Sequence, residues 1–256
     1  SVAGPNWNYV DSIEINGKQL IDSGVSVANV PSIASTVRAN PSAGFSIVKY
    51  TGTGSNATFG HGLNATPELV IVKCRNRFAQ NWAVQHSGYG PTQYTYLNSN
   101  SAATSSSAGP FWNNTAPTST VVNIGTDNDT NSSTDTYVAY CFAPVEGYSA
   151  FGTYLGNGDA NGSFVFCNFA PALVVVKASS ASGNWYAYDR TRGPINPNDN
   201  EIYWNLNSQE YTINRDIDFL SNGFKIRTND NGFNASGVTH VWMAWAESPF
   251  KTARAR

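Results

Sequence analysis

"TPELVIVKC" at 66–74 and "APALVVVKA" at 170–178 are two versions of one phrase, and their reading decides the fold. Each is a short run of β-branched and aliphatic residues opened by Pro, the signature of a strand. Neither alternates apolar with polar residues. An unbroken apolar run of this length suits a central strand covered on both faces. The two phrases lie 104 residues apart, and the same spacing recurs on either side of them. "YTGTG" (50–54) matches "YLGNG" (154–158) at 104, while "NWAV" (81–84) matches "NWYA" (184–187) and "YVAYCFA" (137–143) matches "HVWMAWA" (240–246) at 103. Four matches in order, with a slip of one residue, are the pattern of a duplicated unit. The stretches 90–135 and 195–237 match far less well, as loops on a retained scaffold do.

Strands are expected in the first half at 45–50, 69–74, 82–86, 94–97, 121–124 and 137–142. In the second they are expected at 149–154, 164–167, 173–178, 185–189, 202–206, 224–227 and 239–245. No window holds a capped apolar pattern of period 3.6, so helix content is expected to be low. The expected fold is all-β: two tandem, duplicated β-sandwich units, jelly-roll-like, at 45–147 and 148–256. One larger jelly roll built by both halves is the alternative. Residues 1–44 stand outside the repeat as an N-terminal attachment arm. In it "SIEINGKQLI" (12–21) reads as a β-hairpin, since Asn16-Gly17 suits a type I′ turn. The polar, small-residue stretch 23–44 reads as an extended linker laid along a surface.

The chain has 256 residues, ample for a substantial core, yet charged residues make up only 12% and aromatic ones 13%. Neutral amides and hydroxyls do the solvating. The net charge is −2, and basic residues gather only at Lys251, Arg254 and Arg256, which argues against a nucleic-acid partner. No apolar run approaches the ~18 residues that span a bilayer, so no membrane insertion is expected. Cys74, Cys141 and Cys167 lack metal-site spacing and read as small core residues.

Candidate chemistry is sparse. His61, His86 and His240 accompany no nucleophile motif and are read as structural. Glu146, Glu201, Glu210, Asp216 and Asp218 are the carboxylates available for sugar hydrolysis, which needs two of them roughly 5–10 Å apart. Nothing in the sequence pairs any two, so no active site is expected. In "GTDNDTNSSTD", Asp127, Asp129, Asn131 and Asp135 offer alternating oxygen ligands, which makes Ca2+ the one cofactor to consider. The loop lacks the Gly and Glu of a full calcium signature, and the competing reading is a solvated turn. For a sugar ligand, rings must stand beside amides on loops. "YTYLNSN", "FWNNT" and "IYWNLN" provide this, with Tyr96, Trp112, Asn113, Tyr203, Trp204 and Asn205 as candidate binding residues. The alternative makes Trp112 and Trp204 plugs over the sandwich ends. Trp82 and Trp185, which recur at matched positions, are read as core anchors.

Several long strings carry a family likeness: "STVRANPSAGFSIVKYTGTG" (35–54), "HGLNATPELVIVK" (61–73), "NWAVQH" (81–86), "FWNNTAPTSTVVNIG" (111–125), "YVAYCFAPVEGYSAFGTYLGNG" (137–158) and "IDFLSNGFKIR" (217–227). Together they resemble the duplicated β domain of tail-fibre, receptor-binding and related virion proteins of tailed bacteriophages, especially those of marine bacteria. The likeness runs from about residue 35 to residue 251. It implies a non-enzymatic, extracellular component of the virion surface, on tail or capsid. Its implied partners are a host-surface glycan or protein and, through the N-terminal arm, other virion proteins. By analogy with tail fibres it also implies a homo-oligomer, a trimer. A purely structural shaft, adaptor or capsid decoration is the alternative, with a polysaccharide depolymerase third. The second unit departs from the pattern by enlarging its 195–215 loop.

Overall fold

The computed structural model describes residues 14–15, 18–19, 30–106 and 109–247. Strands β1 (Glu14–Ile15) and β2 (Lys18–Gln19) pair antiparallel with Ile15 opposite Lys18, while the turn expected at Asn16-Gly17 lies outside the described residues. The rest of residues 1–29, and with it the attachment role of the arm, lies outside the described residues.

Unit one contains β3 (Ser35–Asn40), β4 (Phe45–Thr51), β5 (Ala57–Gly60), β6 (Leu69–Cys74), β7 (Trp82–His86), β8 (Gln93–Tyr96), β9 (Thr104–Ser105), β10 (Val121–Ile124) and β11 (Thr136–Phe142). Seven of these form an antiparallel sheet in the order β3-β4-β11-β6-β7-β8-β9, and β5 pairs with β10 in a separate small sheet. Unit two contains β12 (Ser149–Leu155), β13 (Phe164–Phe166), β14 (Pro171–Ala178), β15 (Trp185–Asp189), β16 (Asn198–Tyr203), β17 (Tyr211–Leu220), β18 (Gly223–Ile226) and β19 (Thr239–Ala246). They form one eight-stranded sheet in the order β12-β19-β14-β15-β16-β17-β18-β13. Helix among the described residues is confined to a 3-10 turn at Pro41–Ala43 and one turn, α1, at Asn231–Asn234. The fold is all-β.

The two units share one strand order. β4-β11-β6-β7-β8 corresponds to β12-β19-β14-β15-β16, and the β10–β5 pair to β18–β13. In unit two the ten-residue β17 joins the two parts into one sheet. In unit one, among the described residues, β9 is two residues long and the β10–β5 pair stands as its own sheet. The phrases at 66–74 and 170–178 hold the same place, each between the strand carrying the "NW" pair and the last strand of its unit.

Inward residues of both parts make each unit's core. In unit one Val48 and Tyr50 of β4, Val70 and Val72 of β6, and Ala139 and Cys141 of β11 face Phe59 of β5 with Val122 and Ile124 of β10. In unit two Val174 and Val176, Tyr186 and Tyr188, and Trp242 and Ala244 face Val165, Ile217, Phe219, Phe224 and Ile226. A third core lies between the units: Leu69, Ile71 and Val84 meet Phe151, Val175, Trp185, Ala187 and Met243. The large sheets thus pack face to face. This is why both phrases are apolar without alternation: Val70 and Val72 point into unit one, and Leu69 and Ile71 point at unit two. Polar contacts reinforce the join. Trp185 Nε1 donates to the Tyr96 carbonyl at 2.9 Å, and Ala103 N donates to the Ser179 carbonyl at 2.8 Å. The buried Lys177 Nζ reaches the carbonyls of Ser101 at 2.8 Å and Asn100 at 3.3 Å.

Some boundaries correct the sequence reading. Residues assigned to the arm belong to unit one: β3 covers the outer edge of β4, and Ile33 is buried in the unit-one core. Strand β16 ends where 202–206 was expected to begin its strand, and the enlarged 195–215 loop carries β16 and the first half of β17. The charges of Arg215, Asp216 and Asp218 interrupt the apolar pattern there and conceal a strand. The two sandwiches, one after the other in the chain, also share a core.

Candidate functional site

The aromatic and amide residues proposed for a ligand do not converge. Tyr96 and Tyr203 occupy matched places, opposite Ala83 and Tyr186 in their sheets. Tyr96 turns its hydroxyl toward Asp129 and Asp127, and burial together with those carboxylates raises its pKa. Tyr203 accepts a hydrogen bond from Arg215 Nη1 at 2.9 Å. Asn205 clips its neighbour strand: its Oδ1 accepts from Trp185 N at 2.9 Å and its Nδ2 donates to Asn184 Oδ1 at 2.9 Å. Asn98 repeats both bonds in unit one, with Trp82 N and Asn81 Oδ1. Trp112 is 1% exposed and belongs to the unit-one core, so it is the plug of the alternative reading. Asn113, next to it, takes a left-handed turn conformation at φ 50°. Trp204, 37% exposed, is the one ring of the three segments that faces solvent. Trp185 is fully buried at the join, whereas Trp82 is half-buried beneath Lys73 and beside Tyr140.

The loop proposed for calcium is a structural lock. Asn131 Nδ2 donates to the carbonyls of Ser55 and Gly125, each at 2.6 Å, while its Oδ1 accepts from Thr53 N at 2.8 Å. Asp127 Oδ1 accepts from Asp129 N at 2.8 Å, and Asp129 Oδ1 accepts from Asn81 N at 2.7 Å. Asp135 pairs with Arg77 at 3.0 Å. Each of the four oxygen sets thus has its own protein partner, and burial pushes the Asp127 carboxyl above the usual carboxylate range. Among the described residues no group of three or more His, Cys, Asp or Glu is arranged to hold a metal ion. Unit two repeats the lock: "DNDTN" (127–131) corresponds to "DNGFN" (230–234). There Asn234 Nδ2 donates to the Thr228 and Asp159 carbonyls, its Oδ1 accepts from Asn157 N, and Asp230 Oδ1 accepts from Gly232 N. The hydroxyls of Tyr50 and Tyr154 close the same loop on the carbonyls of Thr130 and Phe233, at 2.6 and 2.5 Å. This motif lies in stretches that align poorly overall, and its only sequence signal is the spacing of 103.

The histidines are neutral structural groups. His86 Nε2 donates to the Trp242 carbonyl across the join at 3.1 Å, and its Nδ1 accepts from Gly88 N at 3.0 Å. Burial lowers its pKa to about 4. His61 is held likewise by the Thr118 carbonyl and Leu63 N. Three of the five proposed carboxylates lie with arginines: Glu201, fully buried, with Arg215 at 2.6 Å; Glu210 with Arg192 at 2.6 Å; Asp218 with Arg227 at 3.4 Å. All three cysteines are free and buried.

The feature that the sequence reading missed is a cleft of about 280 Å3 at the mouth of unit one. The approach to β6 (Thr66, Pro67, Glu68 and Val70), the end of β7 (Gln85 to Ser87), the turn at Gly90-Pro91 and the loop at Ala116-Pro117 line it. Its floor is apolar. On its wall stands Gln85, 4% exposed, whose Oε1 is buried with no hydrogen-bond partner among the described residues. An unmet buried acceptor costs on the order of 1–3 kcal/mol, so an orphan at a cleft marks a place for a ligand atom. At the rim, burial raises the Glu68 carboxyl above its usual range, and Ser87 Oγ donates to it at 3.4 Å. In unit two the position of Gln85 is taken by Tyr188, fully buried, whose hydroxyl lies 2.8 Å from both Glu201 Oε2 and the Arg215 carbonyl. Glu68 is matched there by Ala172. Gln85 was visible in "NWAVQH" as a polar residue at an inward position.

Comparison with curated proteins gives no match, and neither does comparison with solved structures. A family described as "Domain of unknown function (DUF7483)" matches residues 11–249, which takes in both units and the segment before them. The chain belongs to that family.

Proposed function

We propose that this protein is a non-enzymatic module of a phage virion surface that recognises a glycan or protein on the host cell. The observation that supports the reading best is the shared core between the two large sheets. It makes one stiff body of two units and fixes their loops and the unit-one cleft relative to each other, as recognition of a repetitive surface requires. The resemblance that the sequence strings bear to tail-fibre and receptor-binding proteins supports the same reading. Binding by one copy is weak and becomes useful through repetition around a symmetric particle. Labelled protein, presented as an oligomer on beads, should bind a subset of marine bacterial isolates saturably and leave the molecular mass of their surface polysaccharide unchanged. Loss of polymer mass would replace this reading with a depolymerase. Absence of binding to every isolate of a phage's own host range would remove it.

A structural role in the virion, as shaft, adaptor or capsid decoration, is the second reading, and one observation favours it. In unit one β3 covers the outer edge of β4, whereas in unit two the corresponding edge of β12 pairs with no strand among the described residues. An open edge is a template for a strand from a neighbouring protein. Removal of residues 1–29 keeps Ile33 and β3 and should leave both units folded. If the truncated chain then fails to enter particles, the arm carries the assembly contact.

A further inference from the structure

We propose that the cleft at the mouth of unit one binds an N-acylated amino sugar, with the acyl-amide group against Gln85 and the ring hydroxyls toward Glu68. The inference rests on the glycan-binding reading above and names the sugar class and the residues. Three observations select the ligand. Gln85 Oε1 is a buried acceptor without a partner among the described residues, and an amide N–H supplies the donor it lacks. The surrounding wall of Pro67, Val70, Pro91 and Pro117 suits the acyl methyl and a C–H face of the ring. Glu68 at the rim accepts hydroxyl protons, and the lining contains no lysine or arginine to attract an anion. A plain hexose lacks both the methyl and the N–H, and an alkyl chain leaves Gln85 unmet. At about 280 Å3 the cleft is at the small end of ligand pockets and takes one ring. The site belongs to unit one alone, because the Tyr188 ring occupies the matching place in unit two and its hydroxyl is satisfied there.

The test is a titration of the full chain with N-acetylglucosamine, N-acetylgalactosamine, glucose and N-acetylalanine methylamide, followed by 1H–15N NMR of backbone and side-chain amides. At least one acetamido sugar should shift the Gln85 side-chain amide and the Ser87 and Gly90 backbone amides saturably in the millimolar range. Glucose should bind at least tenfold more weakly. Gln85→Leu should weaken the acetamido sugar at least tenfold without lowering the Tm, and Glu68→Gln, on the rim, three- to tenfold. Equal binding of glucose, tighter binding of the peptide-like amide, shifts confined to other regions, or unchanged affinity in both variants would overturn the proposal. Adsorption to cells separates it from the broader reading. If the parent and Gln85→Leu adsorb equally, the module is a host binder through another surface and the cleft assignment fails. If the parent adsorbs to no cell while the sugar still titrates at Gln85, the display reading fails and the cleft stands.

Discussion

Thr134 holds a left-handed backbone at φ 66°, where the matched residue of unit two is Gly237 at φ 76°. For a β-branched residue this conformation is an outlier and costs about 1–2 kcal/mol, whereas Gly adopts it freely and loses about 0.5–1 kcal/mol in chain entropy. Thr134→Gly should therefore raise stability by about 0.5–1 kcal/mol, read as a higher urea midpoint at unchanged slope; a lower midpoint contradicts the strain argument. Asn131 makes the opposite case. Truncation to Ala strands the Gly125 carbonyl in the interior and leaves the Ser55 carbonyl and the Thr53 N–H, both on exposed residues, to water, and should cost about 1–3 kcal/mol in the same assay. Asn234→Ala should cost a similar amount. His86 sets a pH dependence. Its pKa is about 4 folded against 6.5 unfolded, so the unfolded chain binds the extra proton between those values. The stability it contributes is complete above pH 6.5 and lost as pH falls toward 4, on the order of 3 kcal/mol. His86→Gln should flatten the Tm profile over that window, and an unchanged profile would show that His86 is not the group being titrated. At this scale the sequence was legible for types and not for roles. Alternating Asp and Asn oxygens suit a calcium ion and a loop's own N–H groups equally well, and the distant partners of Asn131 and Asp129 leave no mark in the local pattern. Gln85 is similar, since nothing local shows that its neighbours leave a cleft instead of a ring like that of Tyr188.

Strand β6 shows what an element's sequence reveals and what it withholds. Its unbroken apolar run announces two covered faces, and both are covered. In a free-standing sandwich one of those faces would meet solvent, and truncating Ile71 would cost within about 0.5 kcal/mol. Here Ile71 is 7% exposed at the join. Ile71→Ala should cost about 2–4 kcal/mol, close to the effect of a substitution on the inner face. A loss below 1 kcal/mol would mean the units separate in solution. The strands with strong β-branched or aromatic patterns, β4, β6, β7, β11, β12, β14 and β19, were legible nearly to the residue. Strand β17 was not. Its charged residues are accommodated by specific partners, Arg215 by Glu201 and Asp230 and Asp218 by Arg227, and such partners leave no periodic trace. Strand β3 was hidden for a related reason, as an edge strand whose side chains are mostly exposed.

The whole molecule depends on the face that each large sheet turns to the other. Two sandwiches joined only by the connection between Phe142 and Ser149 would move as beads on a string. The cluster of Leu69, Ile71, Val84, Val175, Trp185 and Met243, with Lys177 and His86 bonded across it, binds them into one body. The matched spacings and the two apolar phrases pointed to two units of one design; that their outer faces meet follows from packing and is written in no single segment. Native-state hydrogen exchange, measured against urea, tests this most directly on the amides of the central strands β6 and β14. The shared core predicts that the most protected amides of both strands exchange through one opening with the same free energy and the same urea dependence. Two distinct opening free energies, each with the smaller urea dependence of a half-sized unit, would contradict it.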